Sequence, residues 1–138
     1  ASPRREERTD VISARVRIAA PPDVVFPYFT DPRLIVSWIG ERAELDAHPG
    51  GVFAVDFGDV AARGTYLAVE PPHRVVFTWG IPGDATLPPG ASTVEVVFVD
   101  DGGDTIVTLT HRDVPAEREP SHREGWERCL AALAAVIR

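Results

Sequence analysis

Hydrophobic positions near the end of the chain repeat at the spacing of an α-helix. The apolar face that results holds residues at i, i+4, i+7 and i+11, namely Trp126, Leu130, Leu133 and Ile137. Ser121 and Glu124 have the spacing of a capping box, which predicts that the helix begins at Ser121. At ~1.5 Å per residue such a helix is about 25 Å long, so it can cross a small sheet.

An alternating pattern near the start of the chain predicts a strand. Between residues 11 and 18, the apolar residues Ile12, Ala14, Val16 and Ile18 alternate with polar ones, as in a strand with one solvated face. We expect this strand at or near a sheet edge. Residues 1–10 are almost wholly polar, so they are predicted to form a disordered tail in front of a single domain over residues 11–138.

Prolines predict two short helices after the first strand. Pro22 suits a first helical turn, whereas Pro27 removes a helical hydrogen bond, so the first helix should be short or kinked. Asp31 followed by Pro32 repeats the start signal, and Gly40 marks the end of the second helix.

The centre of the chain changes to short β-type runs separated by turn sequences. The predicted strands cover residues 42–47, 52–57, 64–70, 74–80, 91–99 and 105–111. The sequence DDGGD between the last two is the clearest hairpin signal. Consecutive antiparallel strands form a meander that needs an apolar cover, and the C-terminal helix supplies it. The predicted layout is therefore α+β.

Composition and charge limit the classes of binding partner and the cellular compartment that we expect. With 138 residues, 44% of them hydrophobic, the chain is long enough for one domain with its own core. A net charge of -7 argues against nucleic acid or an anionic membrane as the main partner. Cys129 is the only cysteine, which excludes an internal disulfide, and no apolar run has the length to cross a bilayer. These features predict a cytoplasmic protein.

Motifs for metal binding or catalysis are absent from the sequence. The histidines lie in different predicted elements, at His48, His73, His111 and His122. No HExxH, G-x-S-x-G, G-x-G-x-x-G or P-loop sequence is present, so we predict no metal, no cofactor and no catalytic residue. Cys129 lies beside the apolar helix face and is predicted to be an inert buried thiol.

Alternation predicts an aromatic-rich interior. The inward strand faces hold Phe53, Val55 and Phe57; Val75, Phe77 and Trp79; Val94, Val96 and Phe98; and Val107, Leu109 and His111. Such an interior is either a filled core or a partly empty pocket, and the pattern leaves both open. Tyr66 and His111 have polar tips that either satisfy a neighbouring group or contact a ligand. His122, in the first helical turn, either has a surface or capping role or faces the mouth of a cavity.

Several short motifs, in their order and spacing, resemble those of one known family. They are Pro21; Asp31-Pro32 with Trp38; Pro49-Gly50-Gly51 with Phe53; Gly64 with Tyr66; the run from Glu70-Pro71-Pro72 to Thr78-Trp79; Thr108-Leu109-Thr110-His111; and His122 with Gly125-Trp126. Over residues 11–137 the chain resembles the START-like (Bet v 1-like, SRPBCC) superfamily, and within it the bacterial relatives of the activator of heat-shock protein 90 ATPase homologue. The resemblance implies the helix-grip fold, in which a curved antiparallel sheet of about seven strands surrounds the long C-terminal helix.

The resemblance also implies a hydrophobic cavity between sheet and helix, and with it the binding of a small apolar or amphipathic ligand. The ligand-binding residues that follow are Trp38, Phe53, Tyr66, Phe77, Trp79, His111, Trp126 and Leu130. An enzyme of the polyketide-cyclase or hydrolase type is the first alternative, and it needs a buried polar pair about 3 Å apart, such as His111 with Tyr66 or an acid. A co-chaperone-like interaction module is the second, marked by an exposed apolar patch and a filled core. A homodimer stays open.

Overall fold

One seven-stranded antiparallel sheet and a long C-terminal helix form the fold in the computed structural model, which describes residues 9–137. The strands are β1 (Thr9–Ile18), β2 (Arg42–Leu45), β3 (Val52–Asp56), β4 (Ala61–Glu70), β5 (Arg74–Trp79), β6 (Ser92–Asp101) and β7 (Asp104–Pro115). The helices are α1 (Pro22–Val25), α2 (Pro32–Ile35) and α3 (Glu119–Val136), with 3₁₀ turns at Phe26–Phe29 and Ala116–Arg118. The curved sheet has the order β1-β7-β6-β5-β4-β3-β2, so the predicted helix-grip fold is confirmed.

β1 lies at one edge of the sheet, as its alternating pattern predicted, and pairs with β7. It begins at Thr9, two residues inside the segment predicted as a tail, because Thr9 and Asp10 pair with Pro115 and Val114 on β7. Residues 1–8 lie outside the described residues, and for them the tail stays a prediction.

The β6–β7 hairpin confirms the clearest turn signal in the sequence. Asp101 pairs with Asp104 across the turn, and Gly102 and Gly103 between them have φ angles of 66° and 93°. Tight hairpin turns need positive φ at their central residues, and glycine adopts it without a steric penalty. Both strands extend towards the turn beyond their predicted ends, since they pair with each other up to Asp101 and Asp104, and β7 continues to Pro115 by pairing with β1.

The two short helices form where the prolines predicted them. Pro27 lies in the 3₁₀ turn directly after α1, so the α-helix ends at Val25. Before α2, the side chain of Asp31 accepts a hydrogen bond from the backbone N–H of Arg33 at 2.8 Å, which is the predicted N-cap bond.

The predicted end of the second helix at Gly40 is wrong, since α2 ends at Ile35. The helix stops there because the backbone N–H groups of Ser37 and Trp38 bond only three residues back and form turns. Gly40, with a φ angle of 75°, then leads the chain towards β2.

Helix α3 begins at Glu119, so the capping box predicted at Ser121 is wrong. Pro120 occupies the first turn, where its fixed φ suits a helix start, and the preceding 3₁₀ turn already directs the chain into the helix. The hydroxyl of Ser121 donates to the carbonyl oxygen of Arg118 at 3.1 Å and caps no free N–H. Glu124 forms an exposed ion pair one turn along the helix instead.

The apolar face of α3 is buried against the sheet, with its most extensive contacts on β1. As the helical spacing predicted, its buried side chains are Trp126, Leu130 and Leu133, and Ile137 is buried directly after the helix ends. The predicted inward faces of the strands are buried as well, except for Phe57, which is half-buried. Helix and sheet therefore share one core. The N-terminal half of α3 lies near the segments around β3, β4 and β5.

Candidate functional site

Much of the predicted aromatic interior is filled. The rings of Phe53 and Phe77 are stacked with their centroids 4.0 Å apart, and Tyr66 packs edge-on against both. The hydroxyl of Tyr66 donates to the carbonyl oxygen of Phe29 at 2.9 Å, and burial raises the pKa of this hydroxyl. The indole of Trp38 also donates to a backbone carbonyl, at 2.9 Å. Both polar tips satisfy backbone groups, which is one of the two roles that the sequence left open.

His111 lies at the centre of a buried chain of hydrogen bonds that joins α3 to the sheet. The indole Nε1–H of Trp126 donates to Nδ1 of His111 at 3.0 Å. Nε2 of His111 is 2.8 Å from Oγ of Ser92, which is 2.6 Å from the carbonyl oxygen of Trp79. An indole N–H can only donate, so Nδ1 of His111 must accept and Nε2 carries the proton. Nε2 therefore donates to Ser92, whose hydroxyl donates to Trp79.

This hydrogen-bond chain requires the neutral form of His111. The side chain is fully buried, and burial lowers its pKa to about 3, with the nearby His122 as a smaller cause. A proton on Nδ1 would face the N–H of Trp126 and remove the acceptor that the indole needs. His111 therefore connects helix and sheet as an uncharged imidazole.

The Ser92–His111 pair does not have the proton arrangement of a nucleophile and its base. The distance of 2.8 Å between Oγ of Ser92 and Nε2 of His111 is short enough for the buried polar pair that the alternative enzyme function requires. However, His111 donates to Ser92, and the hydroxyl proton of Ser92 is directed at the carbonyl of Trp79. The imidazole therefore has no free lone pair with which to accept that proton, and we assign the pair a structural role.

A cleft of about 470 Å³ opens between the N-terminal half of α3 and the part of the sheet around β3, β4 and β5. The side opposite the helix contributes Ile39, Phe57, Ala61, Ala62, Trp79 and Ile81. The helix contributes His122, Gly125, Trp126, Arg128 and Cys129. The ring centroids of Trp79 and Trp126 are 5.0 Å apart, so the two indoles form one continuous part of the wall.

Of the eight residues predicted to bind a ligand, Trp79 and Trp126 line this cleft. The other six are buried but are not part of its lining: Trp38, Phe53, Tyr66, Phe77, His111 and Leu130. The pattern could not separate the two groups, because the same apolar side chains suit a filled core and a pocket wall. Phe57 was indicated by strand alternation, whereas Ile39 and Ile81 lie in irregular segments and gave no periodic signal.

Two ring nitrogens of the cleft residues have no hydrogen-bond partner among the described residues. The Nε1–H of Trp79 is buried without one. In His122, Nδ1 is 3.2 Å from the carbonyl oxygen of Arg118, so Nδ1 carries the proton and donates, and Nε2 is left as an acceptor. The cleft residues thus supply one donor and one acceptor that no side chain or backbone group between residues 9 and 137 uses.

An ion pair connects the β5–β6 connection to the start of α3. Asp84 pairs with Arg118 and accepts hydrogen bonds from the backbone N–H and the hydroxyl of Thr86, at 2.9 and 2.8 Å. The bond from the Thr86 hydroxyl is the largest cause that lowers the pKa of Asp84 to about 2, and Arg118 contributes further. Leu87 in this connection is fully buried and Ile81 lines the cleft, so the connection forms a fixed rim.

Gly125 leaves open space in the helical wall of the cleft. A Cβ added at Gly125 meets no heavy atom within 4 Å beyond its own helix backbone. Glycine in a helix interior costs about 0.5 to 1 kcal/mol relative to alanine. The helix therefore carries a local destabilisation at the position where a larger side chain would enter the cleft.

Cys129 lines the cleft as a half-buried thiol, and burial raises its pKa, which favours the unreactive protonated form. Between residues 9 and 137, no three His, Cys, Asp or Glu side chains come together as candidate metal ligands. In the same part of the chain, no helix has both the length and the hydropathy that crossing a bilayer requires.

Sequence comparison relates the chain to proteins named after a chaperone activator. Residues 19–138 match the family described as "Activator of Hsp90 ATPase homolog 1-like protein" (AHSA1). The human "Activator of 90 kDa heat shock protein ATPase homolog 1" is 29% identical over 108 residues, which cover 78% of this chain and 30% of the human protein. The chain thus spans about 30% of the length of the human protein and of its mouse counterpart.

Solved structures share the fold. CalU16 from Micromonospora echinospora is similar with a TM-score of 0.79 and 31% identity, over 93% of this chain and 74% of that chain. An AHSA1-like protein from Rhizobium etli is similar with a TM-score of 0.74 and 37% identity, over 94% of this chain and 82% of that chain. Because the family match extends over residues 19–138 and the fold is shared, the chain belongs to the AHSA1 family of activator of Hsp90 ATPase homolog 1-like proteins.

Proposed function

We propose that this chain binds a small apolar or amphipathic molecule in the cleft between α3 and the sheet. Small-molecule sites usually have volumes of roughly 300 to 1,000 Å³ and mostly apolar walls with a few polar groups. The cleft, at about 470 Å³, is within that range, and its walls are mostly aromatic and aliphatic. These features support a ligand with an apolar body and one or two polar atoms.

The unpaired indole N–H of Trp79 is the observation that carries this proposal. A buried donor without a partner costs about 1 to 3 kcal/mol, and buried donors in folded proteins are almost always paired. Trp79 is 6% exposed, lines the cleft and has its Nε1–H unpaired among the described residues. A ligand oxygen or nitrogen that reaches this N–H would remove the cost, so the unpaired indole supports an occupied cleft.

Replacing Gly125 with leucine is expected to abolish ligand binding without unfolding the protein. Gly125 lines the cleft, and the Cβ of the new side chain enters open space there, so the leucine occupies volume that a ligand would use. The measurement is the titration of an uncharged apolar fluorescent dye, such as Nile red, with competition by fatty and aromatic compounds. Native mass spectrometry of the purified wild-type protein tests independently for a co-purified molecule.

The matched control for this experiment is Gly125→Ala. Alanine adds one methyl group and raises helix propensity, so this variant should gain about 0.5 to 1 kcal/mol in unfolding free energy and still bind the dye. Dye binding that is equal in the leucine and alanine variants would show that the dye lies elsewhere. A wild-type protein that binds neither the dye nor any competitor would contradict the proposal.

Contact with a chaperone is a second candidate function, and the name of the human relative favours it. The exposed large apolar residues lie on seven different segments of the described chain: Val11, Val24, Val52, Val60, Leu67, Val99 and Val136. No strand or helix between residues 9 and 137 carries more than one of these residues, so no single element there presents an exposed apolar stripe as an interaction patch.

If the chain contacts a chaperone of the 90-kDa heat-shock class as an activator, adding it in molar excess should raise the ATPase rate of that chaperone. Gly125→Leu should raise the rate equally, because the cleft is not required for that contact. An unchanged ATPase rate with folded wild-type protein would remove this candidate and leave ligand binding unaffected.

A further inference from the structure

We propose that His122 is the polar anchor of the cleft, and that it selects uncharged apolar ligands that carry a hydroxyl group, of the phenol or alcohol class. In this arrangement the ligand O–H donates to Nε2 of His122 while the apolar body contacts the walls of the cleft. The proposal rests on the proposed function, because it names the class of molecule that the same cleft takes.

The tautomer of His122 follows from its partner. A carbonyl oxygen can only accept, so the contact of 3.2 Å between Nδ1 and the carbonyl of Arg118 puts the proton on Nδ1. In the neutral imidazole Nε2 is then an acceptor. His122 lines the cleft, and no described residue donates to this nitrogen. The cleft therefore presents an acceptor, which calls for a donor on the ligand.

The charged and titratable groups around His122 favour its neutral form. Burial lowers the pKa of His122, and the positive charge of Arg118 acts in the same direction, whereas the bond to the Arg118 carbonyl and the negative charge of Asp84 oppose it. His111 on β7 faces the ring of His122 at 5.7 Å between centroids, and both of its nitrogens already have partners. His111 thus adds no positive charge next to His122.

The remaining lining offers little to an anion. Arg128 is the cationic residue of the cleft wall; its side chain is 72% exposed, and its guanidinium pairs with Glu124 at 3.2 Å. A carboxylate ligand would leave water without gaining a buried cation, which is costly. A hydroxyl group avoids that cost. Because it both donates and accepts, it also suits a cleft whose other unpaired group is the Nε1–H of Trp79.

The experiment compares three probes of nearly equal size: a naphthol, its methyl ether and the corresponding naphthoate. Their dissociation constants are measured at neutral pH by isothermal titration calorimetry. The wild-type protein is expected to bind the naphthol about threefold to tenfold more tightly than the ether, which is the usual net effect of one hydrogen bond. The naphthoate should be the weakest of the three.

His122→Phe keeps an aromatic ring in place and removes the acceptor, so the ratio between naphthol and ether should fall to about one. His73→Phe is the matched control, because His73 is exposed in the β4–β5 turn and does not line the cleft. This control should keep the wild-type ratio. Thermal unfolding of each variant establishes that the protein is folded.

The outcomes separate this proposal from the proposed function. Three results would contradict the role of His122 as the anchor: equal binding of naphthol and ether by the wild-type protein, a preserved ratio in His122→Phe, or tightest binding of the naphthoate. In each case the cleft would remain a ligand site. If no probe binds the wild-type protein, the anchor and the proposed function both fail.

Discussion

Replacing Trp126 with alanine is expected to lower the free energy of unfolding by about 3 to 5 kcal/mol. Trp126 is 4% exposed at the junction of α3 and the sheet, so alanine leaves a large cavity in the core. The substitution also removes the N–H donor to Nδ1 of His111 and leaves that nitrogen buried without a partner. The measurement is equilibrium unfolding in denaturant, followed by circular dichroism.

Two further substitutions on α3 separate the causes of this loss. Trp126→Phe keeps most of the buried area but removes the donor, so it should cost about 1 to 3 kcal/mol, the penalty for an unpaired buried acceptor. Val136→Ala changes a residue that is 44% exposed on the same helix and should change stability by less than about 0.5 kcal/mol. A loss below about 1 kcal/mol in Trp126→Ala would mean that α3 does not pack on the sheet as described.

Mild acid is expected to destabilise the protein by about 2 kcal/mol between about pH 7 and pH 5. An unfolded chain protonates histidine below about pH 6.5, whereas folded His111 has a pKa of about 3. Below the unfolded pKa, proton binding therefore favours the unfolded state. The free energy of unfolding should fall by about 1.4 kcal/mol per pH unit until the pH reaches the folded pKa. His122, whose pKa is also lowered by burial, acts in the same direction.

The pH range of the expected loss, from about pH 7 to pH 5, distinguishes the histidines from the carboxylates as its cause. The lowered pKa values of Asp31, Asp84 and Glu95 give these carboxylates a stabilising contribution that is complete above their unfolded pKa values and is lost progressively as the pH falls below about 5. His111→Gln offers an acceptor to Trp126 and a donor to Ser92 but binds no proton. It should reduce the slope of stability against pH, between about pH 6 and pH 5, by about 1.4 kcal/mol per unit. A wild-type slope in this variant would show that His111 is not the group that titrates.

The ends of the elements show where local signals were sufficient and where they were not. The N-cap bond of Asp31, the interruption of the first helix at Pro27 and the turn at Gly102 and Gly103 all form as the sequence predicted, because each depends only on residues within one turn. The start of α3 was misplaced, because the spacing of Ser121 and Glu124 is only a local pattern. The preceding 3₁₀ turn and Pro120 had already begun the helix before Ser121.

The sequence by itself determined the class of fold and most of the buried side chains of the strands and of α3. Period-2 and period-3.6 patterns fix which face of each element is apolar, and in one domain of this size such faces have only each other to cover them. That is why Trp126, Leu130, Leu133 and most inward strand residues are buried as predicted. The family resemblance added the order of the layers.

Only the tertiary structure decided which buried groups face one another and where space remains. From the sequence, Tyr66 and His111 were equally good candidates for ligand contact or for a structural bond. In the structure their polar atoms bond to Phe29, Ser92 and Trp126, which are distant from them in the chain. The cleft places the candidate site nearer to His122 and Gly125 than the sequence predicted. A cleft is the space that remains where two packed elements do not meet, and its position depends on how α3 lies across the sheet. No periodicity along the chain encodes that position.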